Sequence, residues 1–181
     1  INPNSTEEVT NAMDVAFDPL RGLTGPLITS ITNPDGPPGI ETQEHADAAA
    51  IQVLDIIKEK ETVADAFVIA CFSDPGIYSA REFTRKPVFG IAESGILTAL
   101  SLGNKFGIIA ILDRSIPRHI RYVSSLGLEQ RLAGDIAIGI GVTGLGDEKE
   151  TFARLLKVGK KLINDKGADT LILGCAGMAR Y

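Results

Sequence analysis

Apolar residues along this chain fall into two kinds of run. One kind is short, continuous and bounded by turn formers, the signature of a strand buried on both faces of a parallel sheet; the other recurs at helical spacing between polar residues. Two of the continuous runs repeat one pattern, Ala64-Asp65-Ala66-Phe67-Val68-Ile69-Ala70-Cys71 and Ala168-Asp169-Thr170-Leu171-Ile172-Leu173-Gly174-Cys175. Each predicts a strand that ends in a thiol.

Ser5 and Glu8 stand at capping-box spacing and predict a helix to about Phe17. Residues 18–26 read as loop, Leu27–Ile31 as a short strand, and Asn33-Pro34-Asp35-Gly36-Pro37-Pro38-Gly39 as a loop that no regular element can cross. Glu41–Lys60 is predicted helical, with Ala50, Leu54 and Ile57 on one apolar stripe. After the first cysteine strand come a short helix beyond Pro75, a strand at Pro87–Ile91 and a helix at Ser94–Leu102. A strand at Phe106–Leu112, a helix at Ile116–Leu126 and a strand at Asp135–Ile140 follow. Within Glu148–Asp165, residues Phe152, Leu155, Leu156, Leu162 and Ile163 form the expected apolar face, leaving Lys157, Lys160 and Lys161 for solvent. This alternation predicts an α/β fold with parallel sheets flanked by helices, in two lobes of residues 1–92 and 93–181 that meet near residues 90–95. Ligands in open α/β folds bind beyond the carboxyl ends of the strands, so the repeated pattern suggests two thiols facing one cleft.

Composition narrows the function classes. The 181 residues are 44% hydrophobic, enough to bury a core as one domain or as two small lobes. A net charge of -5, with Lys and Arg interspersed among acids, gives no electrostatic footprint for nucleic acid, and none is expected as a partner. No run approaches the ~18 consecutive apolar residues of a membrane span, and no basic-then-apolar leader opens the chain, so no membrane association and a cytoplasmic location are expected. The only two cysteines are then expected to be reduced thiols. Ile1-Asn2-Pro3-Asn4-Ser5 reads like the end of a strand turning into a helix, and the chain stops soon after Cys175, so flanking segments are expected at both ends.

The candidate chemistry centres on the thiols. A lone cysteine is ordinarily a small buried hydrophobe. Two at matched strand ends, followed by Pro75-Gly76 and by Gly177, sit in turns whose free backbone N–H groups can stabilise a thiolate. No neighbouring Cys or His completes a metal shell, and His45 and His119 lie in predicted helices without paired spacing, so no metal is expected. The same lack argues against a Cys-His nucleophile, although His119 could approach in space. Gly139-Ile140-Gly141-Val142-Thr143-Gly144 matches a dinucleotide-loop pattern, but the next strand ends in Gly174-Cys175 instead of an acid that holds a ribose. A flexible connection is the better reading, and no cofactor is expected. Asn2, Asn4 and Ser5 form a polar cluster that reads either as a turn with an N-cap or as a grip on a polar headgroup.

Several segments together carry a family resemblance: Ile1 to Ser5, Gly36-Pro37-Pro38-Gly39-Ile40-Glu41, Ala70-Cys71-Phe72-Ser73-Asp74-Pro75-Gly76, Pro87 to Glu93, Asp113-Arg114-Ser115-Ile116-Pro117 and Leu173-Gly174-Cys175-Ala176-Gly177-Met178. Over nearly its whole length the chain resembles the aspartate/glutamate racemase superfamily, in its hydantoin and allantoin racemase branch. The resemblance implies two pseudo-symmetric α/β lobes, an active site in the cleft between them and no cofactor. It implies that Cys71 and Cys175 are opposed acid and base. Substrate binding is implied for Asn2, Asn4 and Ser5 in the first turn, Ile40 in the loop, and Phe72 and Ser73 beside the first thiol. Ser115, and Ala176 and Gly177 beside the second thiol, complete that set. The physical logic is that inverting a stereocentre by proton transfer needs a base on one face of a planar intermediate and an acid on the other. Backbone N–H groups would hold the enolate oxygen.

The implied substrate is a 5-substituted hydantoin, met by a homo-oligomer, with allantoin or aspartate and glutamate as alternatives. Two departures bear on it. Ala110-Ile111 stand where many relatives carry hydroxyl residues, which favours an apolar 5-substituent, and Ser73 stands where glycine is common. A tail beyond Tyr181 is implied to complete the first lobe. Two other readings keep the fold: Cys71 as a nucleophile, as in maleate isomerases and arylmalonate decarboxylases, or a two-lobed small-molecule sensor whose pocket the thiols merely line.

Overall fold

A computed structural model describes residues 1–22 and 24–181. Helices and strands alternate, and every strand pairing among the described residues is parallel, so the fold is α/β with parallel sheets flanked by helices. The first apolar run forms β1 (Phe67–Ile69), which pairs with β2 (Val88–Gly90). The chain's opening residues continue this side: the Ala70 N–H donates to the Ile1 carbonyl at 2.8 Å, and Asn2 bridges to Thr32. The strand expected at Leu27–Ile31 does not form beyond that one bridge. None of residues 27–31 is buried, and Leu27 is 96% exposed. In the second sheet β3 (Phe106–Ala110) lies between β4 (Leu132–Ala137) and β5 (Thr170–Leu173). All five residues of β3 are buried, which is why its run is continuously apolar.

Six helices cover the sheets among the described residues: α1 (Glu7–Ala16), α2 (Gln43–Lys60), α3 (Ile77–Phe83), α4 (Ile91–Leu102), α5 (Ile116–Ser125) and α6 (Glu148–Lys166). The capping box at Ser5 is corrected by the structure. The Ser5 N–H is taken by the Pro37 carbonyl, Thr6 becomes the N-cap, and its hydroxyl donates to the Pro38 carbonyl. Side-chain caps do form at α2, where Thr42 accepts from the His45 N–H, and at α6, where Asp147 accepts from Glu150.

Two helix faces also differ from expectation. Helix α2 buries Ala46, Ala49, Val53 and Ile57, leaving Ala50 and Leu54 half-buried. Helix α6 buries Thr151, Leu155, Val158, Gly159 and Leu162, while Phe152, Leu156 and Ile163 are exposed. Its inner face is the one with small residues, because the helix packs closely on the sheet: a Cβ at Gly159 would lie 3.1 Å from the Leu171 side chain. Helix α4 begins directly from β2, three residues before the expected Ser94, and packs on β2, β3 and β5. The glycine-rich run becomes a 3₁₀ turn at Val142–Gly146. No helix among the described residues is long and apolar enough to cross a membrane.

Candidate active site

Strands β1 and β5 each stop two residues before a cysteine, so Cys71 and Cys175 begin the turns at the carboxyl ends of their strands. After Cys71 the turn is fixed by Asp74, whose backbone takes a left-handed conformation (φ 42°) that is unfavourable for a residue with a side chain. Its buried carboxylate accepts from the Ala92 and Glu93 N–H groups at 2.9 and 2.8 Å and from the Tyr122 hydroxyl at 2.8 Å. The first two are free donors of the opening turn of α4, where a carboxylate is favoured. Gly90 is required beside it, since a Cβ there would overlap the Asp74 carboxylate. Burial nevertheless raises the Asp74 pKa, against the pull of these three donors.

Both thiols line one small cavity of about 20 Å³. Burial pushes the Cys71 thiol up to about 12, and the nearby Cys175 charge adds to that rise. Arg118 and Ser73 oppose it. Burial lifts Cys175 to about 11, against a backbone hydrogen bond from Gly177. Two polar atoms of the same wall, Ser115 Oγ and Arg118 Nη1, are buried with no hydrogen-bond partner. Unpaired buried polar groups are unfavourable by about 1–3 kcal/mol each, so these two call for a partner, either an ordered water or a bound molecule.

Of the residues expected to bind substrate, Asn4, Ile40, Phe72, Ser73, Ser115, Ala176 and Gly177 line the thiol cavity. Asn2 and Ser5 do not. The Asn2 side chain is buried and donates to Asn4 Oδ1, the Thr6 carbonyl and Thr10 Oγ1, so it braces the first turn and presents Asn4. Ile111 lines the cavity, whereas Ala110 is buried behind it.

Sequence reasoning passed over Arg118 and reached His119 only as a remote chance; both lie in the wall. Arg118 Nε donates to Ser73 Oγ at 2.7 Å. His119 packs edge-on against Phe72, ring centroids 5.2 Å apart, with Nδ1 2.8 Å from Asp135 Oδ2. Burial raises the Asp135 pKa, and the His119 bond opposes the rise. The available signal was positional: Ser115, Arg118 and His119 share one face of the first turns after β3, and that face opens on the same strand ends as the thiols. An adjoining cavity of about 410 Å³ shares Phe72, Ser73, Arg118 and His119, which therefore form the wall between the two spaces. Among the described residues, no three His, Cys, Asp or Glu side chains are grouped to hold a metal ion.

The chain is 34% identical over 184 residues to a hydantoin racemase of Pseudomonas sp. (strain NS671), an alignment covering 100% of this chain and 73% of that one. To the hydantoin racemase of Paenarthrobacter aurescens it is 32% identical, over 100% of this chain and 78% of that one. Among solved structures, the allantoin racemase of Klebsiella pneumoniae matches with a TM-score of 0.92 at 29% identity, covering 98% of this chain and 73% of that one. An allantoin racemase from Pseudomonas fluorescens matches with the same score at 27% identity, over 98% of this chain and 76% of that one. The Asp/Glu/Hydantoin racemase family model spans residues 1–181. With paired strand-end thiols in one cavity and these relatives, the chain belongs to the Asp/Glu/Hydantoin racemase family and is an isomerase.

Proposed function

We propose that this chain racemises 5-substituted hydantoins by moving the ring's α-proton between Cys71 and Cys175. The observation that carries the reading is that both thiols, brought from separate strand ends, line one cavity. One sulfur, as thiolate, takes the α-proton and becomes a thiol; the electron pair moves onto the ring carbonyl as an enolate. The other sulfur gives its proton to the opposite face and is left as the thiolate. The pair ends with the same number of protons, the charge having changed sides. A negative charge on Cys175 disfavours one on Cys71, which suits a pair that holds one charge at a time. The unpaired Ser115 hydroxyl and Arg118 N–H are donors suited to ring carbonyl oxygens. In this reading residues 1–92 and 93–181 are the two lobes, each supplying one thiol.

Substrate choice rests on the wall. Val9, Ile40, Phe72, Ile111 and Val142 make it mostly apolar, which favours an alkyl or benzyl 5-substituent over the polar ureido group of allantoin. The test is loss of optical rotation by enantiopure 5-benzyl- and 5-isopropylhydantoin, run beside allantoin, aspartate and glutamate with deuterium uptake in heavy water. Fastest turnover of the two hydantoins is expected. Faster turnover of allantoin or aspartate overturns the substrate assignment.

A further inference from the structure

Two half-buried thiols share one negative charge in this reading, and each needs something to hold that charge when its turn comes. On the Cys175 side the backbone supplies it, through the Gly177 N–H. The Cys71 side has another device. Arg118 is the one guanidinium or ammonium group lining the thiol cavity among the described residues. Its Nε donates to Ser73 Oγ at 2.7 Å, its Nη1 is buried without an acceptor, and Ser73 is two residues from Cys71 in the same turn. A hydroxyl that accepts from a cation keeps its own proton free, and is a stronger donor for it.

We propose that Arg118, acting through the Ser73 hydroxyl, is the positioning residue that lets Cys71 carry the negative charge of the pair. It does for Cys71 what the Gly177 N–H does for Cys175, so that either sulfur can serve as base. The proposal rests on the two-thiol reading but not on the identity of the substrate. The other charged groups do not take over this role. Asp74, in the same turn, and Cys175, from β5, both disfavour a Cys71 thiolate. His119 is engaged by Asp135, and Glu41 acts on Cys175, raising it. Arg118 itself feels Arg121 and Asp47 with opposite signs, while burial holds its own pKa below the usual range. A cation kept in an unfavourable place beside a thiol has most to gain when that thiol ionises.

The test measures alkylation of each cysteine by iodoacetamide from pH 7 to 10, read by peptide mass spectrometry. In Arg118→Met the Cys71 rate at pH 8 should fall about tenfold, with Cys175 within about twofold of wild type. Reduced access cannot explain such a fall, because the shorter side chain widens the wall. Arg118→Lys should recover part of the loss by restoring charge without the planar fork, and Ser73→Ala should slow Cys71 about threefold. Unchanged Cys71 reactivity in Arg118→Met, or equal slowing of both cysteines, overturns the proposal. If Arg118→Met does not fold, Ser73→Ala and Arg118→Lys are judged by the same readout. Alkylation needs no substrate, so a chain that turned over no hydantoin yet showed this pattern would refute the proposed function and leave the Arg118 assignment standing.

Discussion

After β1 the chain turns at Cys71 and is pinned by side chains, whereas after β5 it turns at Cys175 and is held by backbone and packing. The first turn is tied by Asp74 to α4 and to Tyr122, by Ser73 to Arg118, and by Phe72 against His119. The second is a 3₁₀ turn at Ala176–Met178 in which the Met178 N–H donates to the Cys175 carbonyl at 3.0 Å and the Met178 side chain is fully buried. The strands leading in repeat one sequence pattern; the turns leading out do not. If the two sulfurs share one chemistry, as proposed, it is supported by unlike surroundings, each sulfur having its own donor and its own fixed turn.

The strongest break of this comparison is to remove one sulfur at a time. A serine hydroxyl is a poor base near neutral pH, so Cys71→Ser and Cys175→Ser should each lower racemisation by about a hundredfold or more. Each variant keeps a thiol on one face and should still exchange the α-proton of one enantiomer with heavy water, the favoured enantiomer being opposite in the two. Substantial racemisation surviving in Cys175→Ser alone would falsify the two-base reading.

Next in size is the difference between the turns themselves. Asp74→Ala strands two N–H groups of α4 and the Tyr122 hydroxyl, and should lower stability by about 2–3 kcal/mol and turnover by roughly tenfold. Gly177→Ala places a Cβ 2.9 Å from the end of the Leu145 side chain, which can move aside, so about 1 kcal/mol is expected. Urea unfolding of both variants checks the order. A larger loss at Gly177 would mean that the second turn is the more tightly determined.

The contrast also marks what was legible in the chain. Continuous apolar runs made β1, β3 and β5 and the thiols at two of their ends readable directly, but only β3 is buried on both faces as such runs predict; β1 exposes Val68 and β5 exposes Leu171 and Leu173. The inner face of α6 was legible only in part: Leu155 and Leu162 are buried as expected, but Phe152, Leu156 and Ile163 also have helical spacing and only the sheet decides that they face outward. The Ser5 cap failed for a similar reason: the Pro37 carbonyl, distant in sequence, took its N–H. Arg118 stayed hidden because its partner Ser73 is forty-five residues away, and no periodicity reports a contact across that separation.

A smaller effect separates the thiols from the rest of the molecule at high pH. Both folded-state values, about 12 for Cys71 and about 11 for Cys175, lie above the ordinary 9.0, so the unfolded chain gives up these protons first. The folded state then binds more protons, and stability falls as pH rises from about 9 toward the folded values, by about 1 kcal/mol per thiol per pH unit. Thermal melting between pH 8 and 10.5 should show a shallower decline for Cys71→Ser than for wild type. Parallel curves would show that Cys71 ionises as easily in the fold as in the unfolded chain.

The smallest effect comes from Glu41, a side chain that acts on the turn otherwise held by backbone. Its Oε1 accepts from the Val142 N–H at 2.9 Å and its Oε2 meets the Arg114 guanidinium, so it ties the loop carrying Ile40 to the turns at Asp113 and Val142. Ile40 and Val142 both line the thiol cavity. Glu41→Gln keeps an acceptor for Val142 and removes the charge. Because Arg114 is 54% exposed, the lost ion pair should change stability by less than about 1 kcal/mol. Glu41 also raises the Cys175 pKa, so its neutralisation should speed Cys175 alkylation about twofold and leave Cys71 as it was. The gain should shrink with added salt, since the pair sits near solvent. A response at Cys71 instead would place the Glu41 charge on the wrong side of the pair, and the division between a side-chain turn and a backbone turn would have to be redrawn.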